Sequence, residues 1–126
     1  MAPFKLLIVE DSTLMRELMR VSLSRFVEIE IDEADDGLVA MKKLAEKKYD
    51  LVFADINMPV MDGIKLVKHI RSDKNNSELP VVIISTENDS EDISKIRQLG
   101  ISAYLTKPVN GSEIIKVIND ILGLKR

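Results

Sequence analysis

The chain has 126 residues, 18 of them basic and 21 acidic, with a net charge of −3 and no cysteine. That length closes one hydrophobic core, so a single domain over residues 1–126 is expected, and the charge gives no electrostatic reason to expect nucleic acid or an anionic membrane as a partner. Absent thiols exclude disulfides, cysteine catalysis and thiolate metal sites, and the first apolar run is too short for a signal core or a span, so a soluble, cytoplasmic protein is expected.

Leu6-Leu7-Ile8-Val9 is a continuous apolar run of the kind buried on both faces of a parallel sheet, and Glu10-Asp11-Ser12 ends it. From Thr13 to Phe26 the apolar positions Leu14, Met15, Leu18 and Met19 recur at helical spacing, with Arg16, Glu17 and Arg20 between them. The methionines are expected as core filler. Strict alternation over Glu28–Asp32 predicts a half-exposed edge strand whose acids discourage pairing with other molecules. Asp36-Gly37 predicts a turn, and Ala40, Met41, Leu44 and Ala45 a second helix reaching Lys48. Leu51-Val52-Phe53-Ala54 is another buried strand. Asp62 is the N-cap candidate for a helix carrying Leu66, Val67 and Ile70 inward. His69, a lone histidine beside that stripe, is assigned no role.

Val81-Val82-Ile83-Ile84 predicts the third buried strand, closed by Ser85-Thr86. Glu87-Asn88-Asp89-Ser90 leads into a helix with Ile93, Ile96 and Leu99, which Gly100 terminates. Ala103–Thr106 is a short fifth strand, followed by Lys107-Pro108. The last helix starts with an Asn110 to Glu113 capping-box pattern, carries Ile114, Val117, Ile118 and Ile121, and ends at Gly123.

Strand and helix thus alternate five times, which predicts an α/β, doubly wound (βα)5 fold with a five-stranded parallel sheet. The three apolar strands belong inside and the two mixed ones at the edges. Order 2-1-3-4-5 satisfies this, and is the flavodoxin-like order.

Ligands of such sheets collect beyond the carboxyl ends of the strands where the order reverses, here between strands 1 and 3. Asp55, ending an apolar run, is a helix cap, a metal ligand or a nucleophile. Strand 1 brings Glu10 and Asp11 beside it, and like charges at about 4.8 Å raise one another's pKa or recruit a cation. An oxygen-only set without His or Cys suits a hard divalent ion, Mg²⁺ better than Ca²⁺. Lys107 ends strand 5 and reaches toward the same crevice. A carboxylate between Mg²⁺ and an ammonium is equipped to attack phosphorus, with an acyl phosphate on Asp55 as product.

With these residues the chain resembles the receiver domain of bacterial two-component response regulators, in particular the single-domain chemotaxis and phosphorelay members. The resemblance covers about Lys5 to Leu122. It rests on Val9-Glu10-Asp11-Ser12, Asp55-Ile56-Asn57-Met58-Pro59 followed by Asp62-Gly63, Ile84-Ser85-Thr86 and Tyr104-Leu105-Thr106-Lys107-Pro108, and on the separations between them. It implies that Asp55 accepts a phosphoryl group from a sensor histidine kinase or histidine phosphotransfer protein. Asp11 and Asp55 would bind Mg²⁺ directly, Glu10 through water, and the main-chain carbonyl of Asn57 would complete the set. Lys107, before a cis proline bond, would pair with the phosphoryl group. Ser85 would be the switch hydroxyl and Tyr104 the ring that turns inward behind it, changing the face of helix 4, strand 5 and helix 5 for a downstream protein target. Thr86, where a smaller residue is usual, is expected to slow small phosphodonors. The pairing of Asn57 with Glu87 implies a short-lived signal.

The protein would then be no enzyme beyond catalysing its own phosphorylation and dephosphorylation, and a monomer or weak dimer. Phosphatases of the haloacid dehalogenase type offer an alternative, but need a general acid two residues after the nucleophile, where this chain has Asn57. A flavin-binding protein would need a Ser/Thr-rich phosphate loop after strand 1, which Ser12-Thr13-Leu14-Met15 does not supply. A receiver cut from a longer regulator would read identically.

Overall fold

The computed structural model describes residues 3–58, 60–86 and 90–124. Within them strands and helices alternate: β1 (Phe4–Val9), α1 (Thr13–Leu23), β2 (Ile29–Ala34), α2 (Gly37–Glu46), β3 (Leu51–Asp55), α3 (Gly63–Ser72), β4 (Val81–Ser85), α4 (Ser90–Leu99), β5 (Ala103–Thr106) and α5 (Gly111–Leu122). The strands form one parallel sheet in the order β2-β1-β3-β4-β5, the arrangement predicted from the sequence. Both β3 and β4 are buried along their whole length, whereas β2 and β5 are mostly half-exposed, as edge strands are.

Period-two alternation divides the core into two layers. Leu7, Val9, Val52, Ala54, Val81 and Ile83 leave the sheet on one face and pack on Ala40, Leu66, Val67, Ile70 and Ile96, so α2, α3 and α4 cover that side. Leu6, Ile8, Leu51, Phe53, Val82 and Ile84 leave it on the other and pack on Met19, Leu23, Ile114, Val117 and Ile118 of α1 and α5.

The first helix departs from its predicted pattern. It ends at Leu23 rather than Phe26, and its buried residues are Met19 and Leu23. Leu14 is 82% and Leu18 41% exposed. Helical spacing identifies an apolar stripe but not what covers it: Met15 packs against the core, whereas Leu14 and Leu18 face solvent. β2 runs from Ile29 to Ala34, two residues beyond the predicted strand, because β1 pairs with it as far as Val9 opposite Ala34. The helix predicted to reach Lys48 ends at Glu46.

Caps at the carboxyl end of the sheet hold the loops around the crevice. Ser12, Asp36, Asp62 and Asn110 each accept a hydrogen bond from the main-chain N–H three residues on. Asn110 and Glu113 complete the capping box. Gly63 starts α3 directly against β3: its N–H donates to Ile56 O at 2.9 Å, and a Cβ there would fall 2.7 Å from Ile56 Cα and 2.8 Å from Asp55 O. Only glycine lets the two elements approach this closely.

Candidate functional site

Glu10 follows Val9 at the end of β1, and Asp55 closes β3. These strands are adjacent, and the sheet order reverses beside them. Each acid continues the register of the residues facing α1 and α5, so both carboxylates leave the sheet on the same side. Lys107 follows β5, and its N–H donates to Ser85 O at 2.7 Å, which ties it to the end of β4.

The Lys107 ammonium lies 2.9 Å from Asp55 Oδ2 and 3.4 Å from Glu10 Oε1. Carboxylate oxygens of Glu10, Asp11 and Asp55 lie within 4.8 Å of one another. Glu10 and Asp55 are buried, while Asp11 faces solvent. The Asn57 N–H donates to Asp55 Oδ1 at 3.1 Å, so the main chain after β3 folds back onto the same carboxylate.

Burial pushes the Glu10 carboxyl up to about 7, and the adjacent Asp55 adds to this against the opposing pull of Lys107. For Lys107, burial works to lower the pKa, but the hydrogen bond and charge of Asp55, then those of Glu10, outweigh it and raise the pKa. Two of the three carboxylates, Asp55 and Glu10, thus face the ammonium.

Residues 6–119 match the family model described as the response regulator receiver domain. The chain belongs to the response regulator receiver family. Among curated relatives, the chemotaxis protein CheY-3 of Vibrio cholerae is 37% identical over 93% of this chain and 90% of its own length. Chemotaxis protein CheY1 of Helicobacter pylori is 34% identical over 94% and 97%. Among solved structures, the phosphorylated cyanobacterial phytochrome response regulator RcpA superposes with a TM-score of 0.89 at 28% identity, covering 99% of this chain and 98% of that one. The Mn²⁺-bound form of response regulator Rcp1 gives 0.83 at 27%, covering 97% and 94%. This receiver is therefore a phosphoacceptor signalling switch of the two-component kind rather than a turnover enzyme. Such domains work with histidine kinases or phosphotransfer proteins and with downstream targets. No helix among the described residues is long and apolar enough to cross a membrane.

The receiver's acidic cluster fits a hard divalent ion. Its donors are all oxygen, they hold a surplus of negative charge, and Glu10 Oε2 is buried with no hydrogen-bond partner.

Two predicted residues lie apart from that cluster. Ser85, fully buried at the end of β4, donates from Oγ to the Thr86 carbonyl at 3.2 Å. Tyr104, opposite Ile83 on β5, is half-buried, with the Arg97 guanidinium 5.9 Å from its ring centroid. The Lys107-Pro108 bond is cis, as the resemblance implied. Pro59 and Glu87–Asp89 lie outside the described residues, and with them the pairing of Asn57 and Glu87.

Sequence reasoning gave no role to Arg16, which donates to the main-chain carbonyl of Glu10. Its signal was slight: one polar residue among others on α1, with nothing to show that it turns back toward β1.

Proposed function

We propose that Asp55 is the phosphoryl acceptor. A carboxylate oxygen of Asp55 attacks the phosphorus of a phosphohistidine on a sensor kinase or phosphotransfer protein. The new P–O bond makes an acyl phosphate, and the P–N bond breaks with its electron pair left on the imidazole, which takes up a proton. The observation that carries this reading is the Lys107 ammonium, 2.9 Å from Asp55 Oδ2, where it meets charge developing on the phosphoryl oxygens; the main-chain N–H of the same residue is anchored on the Ser85 carbonyl.

Asp11 and Asp55 would hold Mg²⁺ directly, with Glu10 through water and the Asn57 carbonyl. When bound, the ion neutralises charge on the transferred group. Glu10 must lose its proton to serve this set, and Lys107 orients Asp55 through its 2.9 Å bond to Oδ2. The protein accelerates only its own phosphorylation and dephosphorylation. Ser85 and Tyr104 carry the switch to the face formed by α4, β5 and α5, which binds a downstream protein target. The histidine donor approaches over α1: Leu14, Met15, Leu18, Pro108 and Val109 line an open, apolar cavity of about 440 Å³ whose inner wall is Glu10 and Lys107. Residues 1–126 act as one receiver domain, cytoplasmic, and a monomer or weak dimer.

Intact-mass analysis after incubation with Mg²⁺ and acetyl phosphate tests the assignment. Wild type is expected to gain one phosphoryl group, and Asp55→Asn or an EDTA-treated sample none. An adduct that persists in either removes Asp55 from this role.

A further inference from the structure

We infer that Arg16 is a positioning residue for the metal-binding carboxylates, acting through the main-chain carbonyl of Glu10. The inference rests on the reading of Glu10, Asp11 and Asp55 as the Mg²⁺ site. It starts from where the β1–β2 ladder stops. Val9 opposite Ala34 is the last registered pair, and the Glu10 N–H still donates to Ala34 O at 3.0 Å. Beyond it β2 has ended, so the Glu10 carbonyl has lost its strand partner, and a buried carbonyl needs another.

Arg16, one turn into α1, supplies it through Nη1 at 2.5 Å. The same guanidinium donates from Nε to Glu33 Oε1 at 3.0 Å, and Nη2 stands 3.5 Å from Thr13 Oγ1. Glu33 lies opposite Ile8 and so shares the α1 side of the sheet; its other oxygen takes Arg20 at 2.8 Å. The Arg16 side chain is 18% exposed and that of Arg20 46%, so the first is fixed between elements and the second lies at the surface. A planar fork that clamps β1, α1 and β2 at one point sets the direction in which Glu10 and Asp11 leave the strand. Lysine, with a single point of donation, cannot hold the carbonyl and Glu33 in the same way.

Charge and position predict opposite signs here. Arg16 is a cation beside a site for a dication, so by Coulomb attraction alone its removal tightens Mg²⁺ binding. If it positions the ligands, removal weakens binding. Calorimetric titration of the full chain with Mg²⁺ decides between them, and thermal melting confirms that each variant is folded. Arg16→Ala is expected to bind at least about tenfold more weakly, the usual loss when a supporting partner of a ligand is removed. Arg16→Lys, which keeps the charge, is expected to fall between the two. Arg20→Ala loosens Glu33 but leaves the Glu10 carbonyl bonded, and is expected to stay within about twofold of wild type. Unchanged or tighter binding in Arg16→Ala, or an equal loss in Arg20→Ala, overturns the inference. Should Arg16→Ala not fold, wild-type affinity in Arg16→Lys overturns it just as well. Wild type that binds no Mg²⁺, or binds it equally after Asp11→Asn, instead removes the proposed site, and this inference with it.

Discussion

The hydroxyls of Ser85 and Tyr104 converge on one acceptor, the main-chain carbonyl of Thr86, at 3.2 and 3.4 Å. Ser85 ends β4 and Tyr104 lies on β5, so a single peptide group joins the two residues assigned to switching.

If Ser85 turns to a phosphoryl oxygen, its bond to Thr86 is given up for a charge-assisted one worth about 1.5–3 kcal/mol. Full reversal of a two-state population takes about 5.5 kcal/mol, so Ser85 alone shifts it only in part, with Lys107 and a bound target supplying the rest. Ser85→Ala is expected to gain the phosphoryl group on Asp55 as wild type does. The accompanying shift of the Tyr104 ring resonances should shrink, the equilibrium being roughly ten- to a hundredfold less displaced. NMR spectra before and after phosphorylation check this, and a full Tyr104 response in the variant removes Ser85 from the switch.

Glu10 makes the metal-free protein sensitive to pH. Its folded pKa of about 7 stands above the ordinary value of 4.5, so between the two the folded state holds a proton that the unfolded chain has released. The stability it contributes is present in full below the lower value and is lost as pH rises through the upper one. Urea unfolding in EDTA should show the protein about 2 kcal/mol more stable near pH 5.5 than near pH 7.5. Glu10→Gln should flatten that difference, and saturating Mg²⁺ should reverse it by favouring the ionised acid. A wild-type profile no steeper than that of the variant would show that Glu10 titrates normally.

Gly63→Ala places a methyl group 2.7 Å from Ile56 Cα and 2.8 Å from Asp55 O, both main-chain atoms that cannot step aside. Loss of at least about 2 kcal/mol is expected. Because α3 is levered off the strand that carries the acceptor, phosphorylation by acetyl phosphate should slow as well. Wild-type stability in denaturant would mean the contact relaxes freely.

Val60 has φ of 69°, a left-handed backbone that a β-branched residue adopts at a cost, and it is 71% exposed, so little burial offsets the strain. Val60→Asn should raise stability by about 1 kcal/mol, a gain of a few degrees in Tm. A lowered Tm would show that the valine makes a contact worth more than the strain.

Much of this molecule could be read from its residues in order. Apolar runs at Leu6, Leu51 and Val81 against the mixed strands at Ile29 and Ala103 separated inner from edge positions, and the observed order of the sheet is the flavodoxin-like one that satisfies this separation. The acids at Glu10, Asp11 and Asp55 and the amine at Lys107 were legible for the same reason: each ends a strand, and strands of a parallel sheet finish at one rim. Leu14 and Leu18 were misleading, because spacing along a helix says which residues share a face and nothing about what lies opposite.

What the sequence determined by itself was therefore the alternation of elements, the layers and the set of charged groups at the rim, since these depend on local pattern and on the geometry common to all parallel sheets. Tertiary structure alone decided how those groups pair. That Lys107 bonds Asp55 across β4, that Ser85 and Tyr104 share one carbonyl and that Arg16 closes the end of the β1–β2 ladder are contacts between residues remote in the chain. Such contacts depend on distances of an ångström or less, set only when every element has packed.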